Sequence, residues 1–413
     1  MSNFVSSQDK KATPTLSPLD EVLREGARTL LQQAIENEVA EYIDLFQYHK
    51  SADNRRIVTR NGYLPKRNVQ TGLGDITVHQ PRVRHQDGGK FTSKLLPPYI
   101  RRTAAIDSVI PALYLKGIST SDFPAALEAI LGENAKGLSA TNVVRLKESW
   151  EAEYKAWKKR DLSNKRYVYL WADGIYFNVR LEDERPCVLV IIGALEDGSK
   201  EIIAIHDGQR ESTLSWKEVM QQLKARGLTT SPKLAVGDGA LGFWAALEEE
   251  FPSTQQQRCW VHKTANILDK LPKSVQGQAK GMIHEMYLAP RKADAIKAYT
   301  AFMKTYEAKY PKACDCLRKD YEVMFTFYDY PAIHWQHIRS TNPIESTFAT
   351  IRHRTRQTKG CGSRIATLSM VFKLAKSAEK WWRKLRGHEL ISKIVAGVKF
   401  VDGEEKKNEE IVA

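Results

Sequence analysis

Three apolar runs between residues 166 and 208 constrain the fold more than any other feature of the chain. RYVYLWADGIYFNVR, CVLVIIGAL and KEIIAIHDG are rich in β-branched and aromatic residues, and turn signals at Asp183-Glu184 and Asp197-Gly198 separate them. Runs this long with so little charge predict strands that are covered on both faces. Helical periodicity follows over Ser215 to Leu228, with Trp216, Val219, Met220 and Leu223 on one side. KLAVGDGA then reads as a short buried strand, Gly242 to Phe251 as a helix and QQQRCWVH as a further strand. Three strands, helix, strand, helix, strand predict an α/β core over 162–263, a mixed five-stranded sheet flanked by helices.

The flanking regions have a different texture. Ser17-Pro18-Leu19-Asp20 opens a helix with Ser as its cap, and apolar residues recur at helical spacing from Leu23 to Ile43, so 1–54 is a tail followed by a helix. Residues 55–100 form a small basic β element, with Asn61-Gly62, Gly72 and Gly74 around short runs such as Asp75 to His79. Over 101–161 the helical period returns. A short helix over Ala125 to Leu131, a turn over Gly132 to Gly137 and a Ser139-capped helix from Ala140 to about Arg160 have the pattern of a helix-turn-helix. Its groove-facing candidates are Asn142, Arg145 and Lys147. Two packing helices with a polar face fit the same residues equally well. The expectation is a mainly α DNA-binding region at the N-terminal end. After His262 the strands stop, and 264–337 is all-helical by period, broken at Pro272, Pro290 and Pro311. Residues 338–400 return to the core with basic helices, and 401–413 are an acidic tail expected to fray.

Charge narrows the partner. The 413 residues hold 63 Lys+Arg against 49 Asp+Glu, a formal +14. From Arg339 to Phe400 there are 14 Lys+Arg and 3 Glu, a net of +11 in 62 residues, so most of the excess lies near the C-terminal end. Such density favours a nucleic acid, and Trp381 and Trp382 are interleaved with the charges instead of forming a lipid-facing stripe. Trp335, Trp381 and Trp382 are candidates for stacking on unpaired bases or for ordinary packing. The densest apolar run, Cys187 to Leu195, is far short of the ~20 residues of a spanning helix, so no membrane partner is expected. Five cysteines spread over the chain do not make a disulfide framework, and the N-terminus is polar. A reducing, cytoplasmic compartment is expected.

Three acids are placed unlike the rest. Asp173 sits in the first strand among Tyr169, Trp171 and Ile175, followed by Gly174. Asp238 ends the strand LAVG between two glycines. A carboxylate at the end of a buried strand has backbone to fix it and open space in front of it. Glu345 lies in the first turn of a helix opened by Asn342-Pro343, near its positive dipole end, and shares the basic stretch only with Glu379 and Glu389. Each acid alone is more simply a turn cap or a structural hydrogen-bonding group. Together they suit Mg²⁺, which prefers oxygen ligands, and two such ions serve phosphodiester chemistry.

The residues then match a family. The GDGA around Asp238, the block CWVHKTANILDKLP, the long helical insertion and RSTNPIESTFATIRHRT resemble the Mutator-type insertion-sequence transposases of bacteria, over essentially the whole chain. The resemblance implies a DDE transposase with an RNase H-like core, the all-α insertion placed before the glutamate. It implies Asp173, Asp238 and Glu345 as a metal-binding catalytic triad holding two Mg²⁺ ions, with Mn²⁺ able to substitute. It implies double-stranded DNA partners (terminal inverted repeats and target), a circular intermediate, a homodimer that pairs two ends, and a nucleoid-associated protein. Arg352 matches the family's basic residue seven positions after the glutamate, two turns along one helix face, and Arg354 accompanies it as a DNA contact. Pro343 departs from the small residue expected there, a mild change at a helix start. Cys259 and His262 match the family's C-x-x-H signature. For these two, three readings stand: half of a zinc site whose partner half is missing, a His262 that contacts DNA or orients an active-site group, or packing. A nuclease of the same fold and a non-catalytic DNA-binding regulator are the rival functions.

Overall fold

Alternation and burial produce the elements in the order the sequence predicts. The computed structural model describes residues 18–51, 53–103, 113, 140–177, 187–208, 210–357 and 364–406, without the side chains of 140–146, 350 and 353–357. The chain divides into two compact units, residues 1–144 and 145–413. No helix among the described residues is long and apolar enough to cross a membrane.

In the first unit the helix Pro18–Leu45 turns Ile35 and Val39 inward. Ile35 meets Val69, Ile76, Val78 and Leu96 in a small core. The expected β element is four short strands in two antiparallel pairs. β1 (Val58–Tyr63) pairs with β4 (Pro81–His85), and β2 (Arg67–Thr71) with β3 (Gly74–Val78). Gln32 ties the helix to this element by accepting from the His79 amide at 2.9 Å and donating to the His79 carbonyl at 2.8 Å. The short helix and turn expected over Ala125 to Gly137 lie outside the described residues; the helix expected after them is Ala140–Lys158.

In the second unit, β5 (Tyr167–Tyr176), β6 (Cys187–Leu195), β7 (Lys200–Gly208), β8 (Leu234–Gly237) and β9 (Gln255–Arg258) form one sheet in the order β7-β6-β5-β8-β9. The first three strands are an antiparallel meander, and β8 and β9 run parallel to β5. β6 is buried over all but its last residue, as a strand covered on both sides must be. One face is closed by the helices Thr213–Ala225 and Leu241–Glu250, which bring Trp216, Val219, Phe243 and Leu247 into the core with Leu170 and Leu189. The first of these helices starts and ends earlier than the sequence predicts. Ser212 Oγ caps it by accepting from the Ser215 amide, and the left-handed Gly227 (φ 101°) lies just past its end. On β5, Tyr169 OH and the His334 ring share a 2.8 Å hydrogen bond and Trp171 Nε1 donates to the His337 carbonyl at 2.9 Å, so a segment from far along the chain docks there.

Residues 260–338 are helical, with Pro311 in the first turn of its helix and Pro272 immediately before another. Trp335 is a packing residue here. Its Nε1 donates to the Tyr330 carbonyl and its ring meets Phe327 and Tyr328 edge-on. Helices Asn342–Gln357 and Arg364–Glu379 then return to the sheet. Two expectations are corrected. The strand QQQRCWVH stops at Arg258: the Cys259 amide makes the last ladder bond, to the Gly237 carbonyl, the Trp260 amide turns away to the Arg339 carbonyl at 3.0 Å, and the helix Trp260–Leu268 begins. The tail does not fray from residue 401. Phe400–Val401 and Glu404–Glu405 pair around Asp402-Gly403, both at positive φ, and the Asp402 carboxylate accepts from the Lys292 amide at 2.6 Å.

Burial sets the first expected outcome. Trp216 is 1% exposed and Trp381 84% exposed. Trp216→Ala should lower unfolding free energy by about 3–5 kcal/mol in urea titrations, and Trp381→Ala should change it by less than about 0.5 kcal/mol.

Candidate active site

Register brings the two aspartates together. Ala172 on β5 pairs with Gly237 on the parallel β8, so Asp173 and Asp238 follow side by side where that ladder ends. Asp173 is 6% exposed and its Oδ1 accepts from the Gly174 amide at 2.8 Å. Asp238 Oδ1 accepts from the Ala240 amide at 3.0 Å, closing a tight turn through Gly239 at φ 93°. A side chain at Gly239 has nowhere to go: its Cβ would lie 2.0 Å from Arg258 Cζ. Arg258 cannot swing aside freely, since its Nε donates to Asp320 at 3.0 Å and the buried Lys263 shares that carboxylate at 2.6 Å. Gly239→Ala should therefore cost about 1–3 kcal/mol from the left-handed backbone and the clash, read as a fall in thermal midpoint.

A third carboxylate joins them. Glu211, in the connection after β7 and next to the cap residue Ser212, places an oxygen within 4.8 Å of oxygens of both Asp173 and Asp238. Burial, and then the charge of Asp238, push both Asp173 and Glu211 up to about 7. His262 opposes both shifts, and the Tyr176 hydroxyl, hydrogen-bonded to Glu211, opposes the second. Three close oxygen donors, two of them reluctant to ionise beside one another, are a donor set suited to a hard divalent cation.

Glu345 stands in a second, adjoining group. Its carboxylate lies with Cys259 Sγ and the His262 ring within 4.8 Å of one another, and His262 Nε2 is 3.8 Å from Glu345 Oε1. Thr341, just before the helix Asn342–Gln357, connects the three. Its hydroxyl lies 3.3 Å from Cys259 Sγ, 3.4 Å from His262 Nδ1 and 3.2 Å from Glu345 Oε1. Hydrogen bonding to Cys259 raises His262 to about 9 against the effect of burial, with Asp173 and Asp238 adding to the rise. Burial disfavours the Cys259 thiolate, yet His262 and Thr341 outweigh it and hold the thiol below its ordinary value. His262 thus faces both groups and joins them electrostatically. Neither Cys314 nor Cys316 takes part in a metal-ligand cluster among the described residues.

A family model described as Transposase, Mutator family, matches residues 2–384. The chain belongs to the Mutator family of transposases. It is similar to the transposase for insertion sequence element IS6120 of Mycolicibacterium smegmatis, 50% identical over 298 residues, 72% of this chain and 92% of that protein. The transposase for element IST2 of Acidithiobacillus ferrooxidans is 50% identical over 285 residues, 67% of this chain and 94% of the relative. The transposase for IS256 in transposon Tn4001 of Staphylococcus aureus is 29% identical over 355 residues, 85% of this chain and 88% of its own. Membership in a Mutator transposase family makes the cutting and joining of DNA the activity to explain.

The DNA-contact candidates are placed less fully. Arg352 is exposed on the helix that carries Glu345, its guanidinium 5.7 Å from the Phe348 ring centroid. Lys147 is half-buried on the helix Ala140–Lys158, while the side chains of Asn142, Arg145 and Arg354 lie outside the described residues. Pro343 is accommodated in the first turn of its helix, and its carbonyl accepts from Ser346 Oγ at 3.2 Å. Glu211, Thr341 and Tyr176 are the site residues that sequence reasoning missed. The available signals were an acid beside a helix cap and a Thr immediately before Asn-Pro.

Proposed function

We propose that this chain is an insertion-sequence transposase of the DDE type that binds the terminal inverted repeats of its element and carries out metal-dependent strand cleavage and strand transfer. The observation that carries the reading is the Ala172–Gly237 register, which sets Asp173 beside Asp238 on neighbouring parallel strands. A three-strand meander continued by two parallel strands supports an RNase H-like core, with the helices of 264–337 as its insertion.

Asp173, Asp238 and Glu345 are the residues that would hold the ions. Two Mg²⁺ ions, or Mn²⁺ in their place, would supply positive charge to stabilise the oxygens entering and leaving phosphorus. The site's own side chains prepare the rest. Backbone amides orient the two aspartates, and Thr341 with His262 orients Glu345. His262, protonated at neutral pH, adds a positive charge beside the carboxylates that favours an approaching polyanion. Arg352 and Arg354, further along the same helix, would grip phosphates of the transposon end, and Asn142, Arg145 and Lys147 would read or position the repeat. In the first step a water oxygen bonds to phosphorus at the element boundary, the P–O3′ bond breaks, and the leaving oxygen takes a proton. The freed 3′-hydroxyl then attacks a second phosphodiester, forming one P–O bond as another breaks. Pairing two ends calls for a homodimer.

The test uses the purified chain and a labelled duplex carrying the terminal repeat, with Mg²⁺ or EDTA. The expected result is nicking at the repeat boundary and joined products, both confined to Mg²⁺. Nicking without joined products when two ends are supplied would favour a structure-specific nuclease. Tight binding with no cleavage in either condition would favour a DNA-binding regulator.

A further inference from the structure

The oxygen cluster contains a carboxylate that the triad does not use. Glu211 places a carboxylate oxygen within 4.8 Å of oxygens of Asp173 and Asp238, and several local features hold it there. Gly174, next to Asp173, leaves the space Glu211 fills: a Cβ at that position would lie 2.7 Å from both Glu211 Cδ and Glu211 Oε1. Gly242 admits the Glu211 backbone in the same way, since its Cβ would lie 2.4 Å from the Glu211 carbonyl oxygen. Arg210, immediately before, adopts the left-handed φ of 62°, a costly conformation for a non-glycine residue. One carboxylate oxygen, Oε2, is fully enclosed and has no hydrogen-bond partner. A buried oxygen without a donor is expensive unless something positive or protic meets it. Lysine and arginine, the usual partners of a buried acid, form no ion pair with Glu211 among those the structure shows.

We propose that Glu211 is a direct ligand of the divalent cation held by Asp173 and Asp238, a fourth carboxylate added to the three of the triad, of which Glu345 joins from the adjoining group with Cys259 and His262. The inference rests on the metal-dependent reading above. The alternative is a structural role, in which Glu211 only hydrogen-bonds Tyr176 and packs beneath Gly174.

Mn²⁺ binding to the full chain, without DNA, separates the possibilities by calorimetry and by the paramagnetic resonance signal of free Mn²⁺. Glu211→Gln keeps the size and the hydrogen-bonding capacity but removes the charge, and should weaken Mn²⁺ binding at least about tenfold. Tyr176→Phe removes the hydrogen bond and keeps the carboxylate, and should leave Mn²⁺ affinity within about twofold of wild type. Asp238→Asn serves as the reference loss. Loss in Asp238→Asn with unchanged affinity in Glu211→Gln would overturn the role of Glu211 alone. Undiminished affinity in Asp238→Asn would overturn the metal reading itself. Should Glu211→Gln fold poorly, iron substituted for Mn²⁺ provides a second readout on the wild-type chain: peroxide and ascorbate should cut the backbone at 210–212 as well as near 173 and 238. Cutting near the aspartates without cutting at 210–212 would equally overturn the proposal.

Discussion

Asp173→Asn should lower the rate of strand cleavage by on the order of 10³-fold, about 4 kcal/mol of transition-state stabilisation, while the protein still binds its terminal repeat. The asymmetry follows from where the residue sits. Asp173 is buried within β5, just past the last residue that pairs with β8, and its carboxylate belongs to the oxygen cluster. End binding as proposed would rest mainly on positive charge spread over other elements, and removing one negative charge from the cleft should not weaken it. Single-turnover cleavage and gel-shift titration on the same preparation test both halves. Cleavage within tenfold of wild type would remove Asp173 from the catalytic set.

The same substitution should stabilise the metal-free protein at neutral pH. Burial and the neighbouring Asp238 raise Asp173 from 3.8 to about 7. Between those two values the folded chain holds a proton that the unfolded chain has released, so stability falls as pH rises through this window. Below pH 4 both states are protonated and no penalty exists. Above pH 7 the penalty is complete, on the order of 4 kcal/mol. Glu211, also raised to about 7, adds to the slope in the same direction. Urea titrations in EDTA at pH 5 and pH 7.5 should show a steeper loss for wild type than for Asp173→Asn. Saturating Mg²⁺ should restore wild-type stability, by about 2.7 kcal/mol at one hundred times its dissociation constant. A wild-type chain whose stability is flat across the window, and indifferent to Mg²⁺, would contradict the electrostatics described for this site.

The sheet was legible because its strands announce themselves. β5 and β6 are long, apolar and rich in β-branched and aromatic residues, and such runs have few alternatives to a covered strand. The aspartates were legible for the same reason, Asp173 as an acid inside an apolar run and Asp238 as the acid that ends one. The boundary at Cys259 was not, because QQQRCWV is locally as suited to a strand as to a turn. The ladder ends there because the next amide, that of Trp260, turns to the carbonyl of the distant Arg339. Glu211 escaped notice because DGQREST reads as a polar connection, and nothing local says that Gly174 and Gly242, 37 and 31 positions away, make room for it. The Asp402-Gly403 hairpin was overlooked although the dipeptide is a known turn former, since its charged surroundings suggested a frayed tail. Apart from that hairpin, interactions within a dozen residues were readable, and those made by distant elements mostly were not. The grouping of Glu345 with Cys259 and His262 belongs to the second kind.

Docking of Tyr169 and Trp171 by His334 and His337 joins residues 165 and 166 positions apart. At synthesis rates of roughly 5–20 residues per second, the strand bearing these two aromatics is made about 8–33 s before the segment that bonds to them. During that interval the nascent sheet lacks those partners. Chains cut short before residue 334 should for this reason be trapped by chaperones or aggregate, and the glutamate at 345 cannot take its place until synthesis has passed that position.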